Sequence, residues 1–270
     1  MTLPFKAVAV DMDGTFLDDR KQYNHEQFDK ILTEFEKQGV HFIVASGRPY
    51  ARLKQDFSEF ADRMDFVTLN GSRLIIEGKD AGGYPLNRQD VLDLIHEVHD
   101  KYGKMATMVF EEGIAYLNTE IPKEERDFLA YFAGKSDVVD AWRDLPEGDI
   151  YQITFNMDSS KAKEIEDAFN KTHVNQISAF ASANTAIDVN VKGISKGTGL
   201  KRLLEKLGMT GKDLIAFGDG GNDIDMLDFA EYSYAMANGM QEVKGHAKFV
   251  APANTENGVF KVLQEYLDKD

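Results

Sequence analysis

Lys6-Ala7-Val8-Ala9-Val10-Asp11-Met12-Asp13-Gly14-Thr15 is the stretch whose reading decides the fold. A short apolar run follows a lysine and stops abruptly at a carboxylate. With no polar alternation inside it, the run reads as a strand buried on both faces, as strands of a parallel sheet are. Asp11 and Asp13 then stand just past its carboxyl end, where ligands bind in open α/β sheets.

Working outward, a helix is expected after Asn24, with Phe28, Ile31, Leu32 and Phe35 on one face, a capping arrangement of Asn24 with Gln27, and Gly39 at the exit. A second apolar run, Val40 to Ala45, leads into Ser46-Gly47-Arg48 and a segment opened by Pro49. A third, Phe66 to Leu69, ends in the turn dipeptide Asn70-Gly71. The rhythm resumes toward the C-terminus. Lys196 to Leu207 reads as a helix, Leu214 to Phe217 as a strand running into Gly218-Asp219, and Asn222 to Phe229 and Gly258 to Leu267 as helices. Strand and helix in alternation predict a Rossmann-like α/β core, a parallel sheet with helices on both faces. From Gly82 to Ala186 the texture changes to alternations such as Tyr151, Ile153, Phe155 mixed with amphipathic stretches such as Val91, Leu94, Ile95, Val98. The expected division is a core of 1–81 and 187–270, with 82–186 inserted as an α+β domain.

Composition narrows the function classes. The 270 residues carry a formal net charge of −15, which works against nucleic acid or anionic membrane as a partner. With no cysteine, disulfides, thiolate metal sites and thiol nucleophiles are excluded. No segment resembles a signal peptide or membrane span, so a soluble, cytoplasmic chain is expected.

The polar residues at the strand ends form a coherent set. Carboxylates converging on one crevice raise one another's pKa unless a cation sits among them. Oxygen-only ligands point to a hard ion, and Mg²⁺ is the usual partner of a phosphate. Asp11 is then the expected nucleophile toward phosphorus. Asp13, two residues on, is placed as general acid and then base, a contribution of about 10² to 10⁴ in rate. The Ser46 hydroxyl, the Gly47 amide and the Lys196 ammonium would hold the phosphoryl oxygens.

Asp11-Met12-Asp13-Gly14-Thr15, Ser46-Gly47-Arg48, Lys196 and Gly218-Asp219-Gly220-Gly221-Asn222-Asp223, in that order and spacing, resemble the four motifs of the haloacid dehalogenase-like hydrolase superfamily. The long insert resembles the α/β cap of its Cof-type subfamily, and the run from Asp11 to Asn24 is similar to bacterial sugar phosphatases of that group. The resemblance implies Asp11 as nucleophile and metal ligand, Asp13 as acid/base and as a ligand through its carbonyl, and Asp219 as a carboxylate ligand. It also implies Asp223 as support behind the metal and Asn222 near the phosphate. The expected activity is Mg²⁺-dependent hydrolysis of small phosphate monoesters, sugar phosphates first among them, through an aspartyl-phosphate, by a monomer or weak homodimer.

Two other functions fit parts of the pattern. A phosphomutase would share the nucleophile and the insert but return the phosphoryl group to substrate. A receiver-like phospho-switch also gathers carboxylates and a lysine, but its phosphorylated Asp lies on a later strand and it lacks a large insert. Gly193 to Gly199 does not match the P-loop pattern. In Gly218 to Gly221, Asp219 would repel a phosphate, which favours a metal site over a dinucleotide loop. Arg48 is open between substrate contact and surface pairing, and Asn70-Gly71 between a plain turn and a place in the pocket.

Overall fold

The computed structural model describes residues 3–156, 162–172, 177–181 and 186–269. Strand β1 (Ala7–Val10) is flanked by β2 (His41–Ala45) on one side and β12 (Leu214–Gly218) on the other, both parallel to it. β3 (Asp65–Thr68) extends the sheet beyond β2; β13 (Tyr232–Met236) and β14 (Phe249–Ala251) extend it beyond β12. The apolar run of β1 conceals an alternation. Val8 and Val10 pack toward Phe28, Ile31 and Leu32 of α1 (His25–Lys37) and Phe260 of α9 (Gly258–Leu267). Ala7 and Ala9 pack on the other face, toward Leu200, Leu203 and Leu204 of α6 (Lys196–Lys206). Large residues on one side and small on the other let helices cover both faces, as expected. Asn24 Oδ1 accepts the Gln27 amide at 3.0 Å, so the helix start is the one its sequence indicated.

The parallel order ends at β3. β4 (Arg73–Ile76) and β5 (Lys79–Gly83) join antiparallel, a hairpin closed by Glu77 and Gly78 with φ of 48° and 72°. Two left-handed residues in succession match the twist of a tight hairpin.

The insert forms a second sheet in the order β10 (Ile177–Ala181), β11 (Ala186–Val191), β9 (Gln152–Asn156), β6 (Ala106–Glu111), β7 (Ile114–Asn118), β8 (Ser136–Val139). Helices α3 (Arg88–Tyr102) and α5 (Ala162–Thr172) cover one face through Val91, Ile95, Ile165 and Phe169. Helix α4 (Lys123–Ala133) covers part of the other through Leu129 and Ala133. Both boundaries shift: 82–83, assigned to the insert on sequence, lie in β5 of the core sheet. β11 pairs with β9 and β10, so 187–191, assigned to the core on sequence, belong to the insert's sheet. Period-2 alternation there is invisible to a boundary drawn on change of texture. The insert touches the core where Arg52 of α2 (Tyr50–Asp56) lies over the Tyr131 ring at 4.1 Å and Gln55 donates to the Gly134 carbonyl at 2.9 Å. Among the described residues no helix is long and apolar enough to cross a membrane.

Candidate active site

Four neighbouring strands deliver the site. In the order β12, β1, β2, β3 they run parallel, and their carboxyl ends are followed by Asp219, Asp11, Ser46 and the turn Leu69-Asn70-Gly71. Sheet topology alone thus gathers residues separated by two hundred positions, at the edge where open α/β sheets bind ligands.

Lys196 starts α6 behind the Ser195 cap and is 1% exposed. Its Nζ donates to Asp11 Oδ1 at 2.5 Å and to Asp223 Oδ1 at 2.7 Å. Burial works against the ammonium, but the two carboxylates outweigh it and its pKa is raised. Burial pushes the Asp11 carboxyl well above its usual range; Lys196 opposes, while Asp223 and Asp219 push the same way. Burial likewise lifts Asp219, to about 6, against a hydrogen bond from the Thr15 hydroxyl at 2.8 Å. Both Asp223 oxygens are engaged: Oδ1 takes Lys196, and Oδ2 takes the amides of Asp219 and Gly220, both at 3.0 Å.

Asp11, Asp219 and Asp223 are, among the described residues, the group able to hold a metal, each with an oxygen within 4.8 Å of the others. Gly14 makes this approach possible. Its φ is 84°, and a Cβ there would fall 2.4 Å from Asp219 Oδ2. Two buried carboxylates, Asp11 and Asp223, share one ammonium with the part-buried Asp219 beside them, and Asp11 and Asp219 have raised pKa values. The crevice is short of positive charge and its donors are oxygens, which fits a hard divalent cation.

Asp13 stands apart from that cluster. Arg48 grips it bidentately, Nε to Oδ2 at 3.0 Å and Nη2 to Oδ1 at 2.7 Å, and Lys21 adds a contact at 2.7 Å. Burial alone would raise the Asp13 pKa, but Arg48 and Lys21 lower it overall. Arg48 reaches Asp56 as well, at 2.7 Å, so the residue left open on sequence is an ion-pair partner of the expected acid/base.

Ser46 is buried, and its Oγ accepts the Arg48 amide at 3.1 Å, which leaves the hydroxyl proton free to donate. Gly47 is closely packed, and a side chain there would press on its neighbours. A Cβ would lie 3.2 Å from both Asn70 Nδ2 and Asp188 Oδ2. Asn70 is the residue that sequence reasoning left undecided. It is buried, sits at φ 52°, accepts from Asn222 Nδ2 at 3.3 Å and donates to Asp188 at 2.9 Å. Asn-Gly signalled the turn; nothing in the sequence signalled that its carboxamide points inward. Thr15, within the first motif but given no role, and Asp188, just past the expected boundary at 186/187, were not singled out from the sequence.

The chain matches the family model of the haloacid dehalogenase-like hydrolases over residues 8–263. It is 29% identical, over 98% of its length and 97% of the relative's, to 5-amino-6-(5-phospho-D-ribitylamino)uracil phosphatase YbjI of Escherichia coli. The crystal structure of SMU.1108c from Streptococcus mutans superposes with a TM-score of 0.91 at 33% identity, covering 97% of this chain and 99% of that one. The sugar phosphatase BT4131 of HAD subclass IIB shares the fold, with a TM-score of 0.81 at 21% identity over 97% and 98% of the two chains. Site, topology and sequence agree, and the chain belongs to the haloacid dehalogenase-like hydrolase family.

Proposed function

We propose that this phosphoric monoester hydrolase works with Mg²⁺ and through an aspartyl-phosphate on Asp11, and that its substrates are small, hydroxyl-rich monoesters such as sugar or sugar-alcohol phosphates. The observation that carries this reading is the buried chain Asp11–Lys196–Asp223 with Asp219 against it, a cluster deficient in positive charge. Mg²⁺, when bound, supplies that charge, keeps Asp11 ionised and screens its approach to an anionic substrate. Asp11, Asp219 and the Asp13 carbonyl would hold it. Asp223 supports them by fixing the Asp219 amide and Lys196.

The chain's own residues do the rest. The Ser46 hydroxyl, the Gly47 amide, the Lys196 ammonium and the Asn222 carboxamide bind the phosphoryl oxygens. An Asp11 oxygen forms a bond to phosphorus as the ester P–O bond breaks, and the departing oxygen takes a proton from Asp13. Water then loses a proton to Asp13 and attacks phosphorus, the bond to Asp11 breaks, and inorganic phosphate leaves. Arg48 and Lys21 stabilise the ionised form of Asp13, so delivery of that proton requires their grip to loosen.

The insert serves as the cap that selects the leaving group and closes over the crevice. A relative named for a phosphate on a ribityl chain supports a polyol leaving group. Every group named stands on one chain, so a monomer or weak homodimer suffices, and a small metabolite as substrate suits a cytoplasmic enzyme.

The test is a screen of phosphorylated metabolites scored by phosphate release, with Mg²⁺ and with excess chelator. Hydrolysis of polyol phosphates that stops with chelator and returns with Mg²⁺ is expected. Full activity in chelator would overturn the metal role; a phosphoprotein or polynucleotide as best substrate would overturn the substrate class.

A further inference from the structure

Helix α4 of the insert rests on α2 of the core, backbone against backbone. Gly134, the C-cap of α4, has φ 72°, and a Cβ there would fall 2.7 Å from the Arg52 amide nitrogen. Arg52 completes the seat. Its Nη1 donates to the Tyr131 carbonyl at 2.7 Å and its Nη2 to the Tyr131 hydroxyl at 3.1 Å.

The third guanidinium nitrogen of Arg52 reaches into the core, where Nε donates to Asp56 Oδ1 at 2.9 Å. Asp56 Oδ2 accepts from Arg48 Nη1 at 2.7 Å, and Arg48 spends Nε and Nη2 on Asp13. The insert and Asp13 are therefore joined through Tyr131, Arg52, Asp56 and Arg48, with opposite charges alternating from Arg52 onward.

The middle of this chain is the part that solvent screens least. The side chains of Arg48, Arg52 and Asp56 are 15%, 13% and 13% exposed, against 58% for Lys21, the other partner of Asp13. Exposed ion pairs contribute little, so Lys21 is a weak restraint. A two-pronged guanidinium fixes a carboxylate in both distance and angle, so Arg48 is the strong one. Asp56 is the last residue of α2, where the helix dipole opposes a negative charge. Two guanidiniums hold it there, and it holds both of them.

We propose that Asp56 and Arg52 are positioning residues: while the insert rests on α2 they fix Arg48 from behind, and Arg48 aims the Asp13 carboxylate that takes the proton of the attacking water. They act through Arg48 rather than on the substrate. The inference rests on the phosphatase reading and deepens it, because seating of the insert then orders the acid/base group for hydrolysis of the phosphoryl-enzyme. Proton transfer needs the base within hydrogen-bond reach, so a displaced Asp13 costs rate in that step and leaves the attack of Asp11 on phosphorus intact.

The test is rapid mixing with p-nitrophenyl phosphate and Mg²⁺, which separates release of nitrophenolate, a leaving group that needs no proton, from release of phosphate, which needs Asp13 as base. Asp56→Asn should leave first-turnover nitrophenolate release within about twofold of wild type. It should lower phosphate release about 10- to 100-fold, a part of the 10² to 10⁴ that a well-placed acid or base supplies. Tyr131→Ala, at the far end of the chain, should slow the same step by about threefold. The double variant should be no slower than Asp56→Asn alone, because both changes act through one chain. An equal fall in both steps, unchanged phosphate release, or fully additive losses in the double variant would overturn the proposal. Tyr131 is 61% exposed, so Tyr131→Ala keeps the test intact if Asp56→Asn misfolds: phosphate release equal to wild type overturns it. Absence of phosphate release by the wild type from any ester would defeat the phosphatase reading itself, and the inference with it.

Discussion

The two sheets keep their polar residues in different places. In the core, β1, β2 and β12 are buried and apolar through most of their length, and the chemistry-bearing side chains stand just past their carboxyl ends. In the insert, Gln152, Thr154, Asp188 and Asn190 lie within the strands, buried, on the face opposite Ile153, Phe155, Ile187 and Val189. The first arrangement concentrates charge around one lysine, as the proposed bond-making requires. The second spreads neutral donors and one carboxylate over a surface, which suits recognition of a hydroxyl-rich group. Changes in the core should therefore remove chemistry or the fold's charge balance, and changes in the insert should reorder substrates.

The largest effect is expected at Asp11. An amide cannot form the acyl-phosphate, so Asp11→Asn should lower steady-state turnover to below about one per cent of wild type with unchanged circular dichroism. Retained turnover would place the nucleophile elsewhere and erase the contrast between the sheets.

Lys196→Ala should show up in stability as well as in rate. It strands Asp11 and Asp223 without their shared cation, and breaking such a buried pair costs about 3–5 kcal/mol. Denaturant unfolding of the metal-free protein measures this. The loss should shrink on acidification, as Asp11, whose carboxyl burial already pushes up, takes up a proton and part of the uncompensated charge disappears. A neutral substitution would mean that the lysine does not balance the site.

Metal affinity should depend on pH through Asp219. With a metal-free pKa raised to about 6, its carboxyl is increasingly protonated as pH falls through that value, so Mg²⁺ must displace a proton and its apparent affinity should drop there. Calorimetric titration across that range checks the sign. Asp219→Ala should raise the Mg²⁺ requirement sharply and abolish this dependence on Asp219.

The smallest effect is expected from the insert. Gln152, near Asn70 and Asn190, is part of its polar face. Gln152→Ala should change the ranking of phosphosugars by about tenfold or less and leave the Mg²⁺ titration where it was. A shift in the metal titration with no change in ranking would break the division of labour.

How much of this was legible follows the same contrast. Asp11, Ser46 and Asp219 could be found because an apolar run ending at a polar residue is a local event, and parallel pairing brings such ends together whatever lies between them. Asp188 was not found, because Ile187-Asp188-Val189-Asn190 states only an alternation. Which neighbours a strand face meets is decided by pairing with β9 and by the Asn70 turn, more than a hundred residues away. Asn70 was half legible: its turn is local, but its inward carboxamide depends on a φ of 52° held by the packing around it. The β4–β5 hairpin was not read because no element was assigned between Gly71 and Gly82, where Glu77 and Gly78 reverse the chain. Arg48 could be seen as a cation near the site, but not as the partner of Asp13, since that pairing is made by side chains reaching between two loops.

If the core transfers the phosphoryl group to Asp11, the bond formed there can be captured. Asp13→Asn removes the base for the second step while an activated ester, whose leaving group needs no proton, can still phosphorylate the enzyme. Rapid acid quench of Asp13→Asn with p-nitrophenyl phosphate and Mg²⁺, followed by peptide mass spectrometry, should find a phosphoryl group on the peptide containing Asp11, sensitive to hydroxylamine and absent from Asp11→Asn. A phosphoryl group on any other residue, or phosphate released in a single turnover with no phosphoryl-enzyme formed, would contradict it.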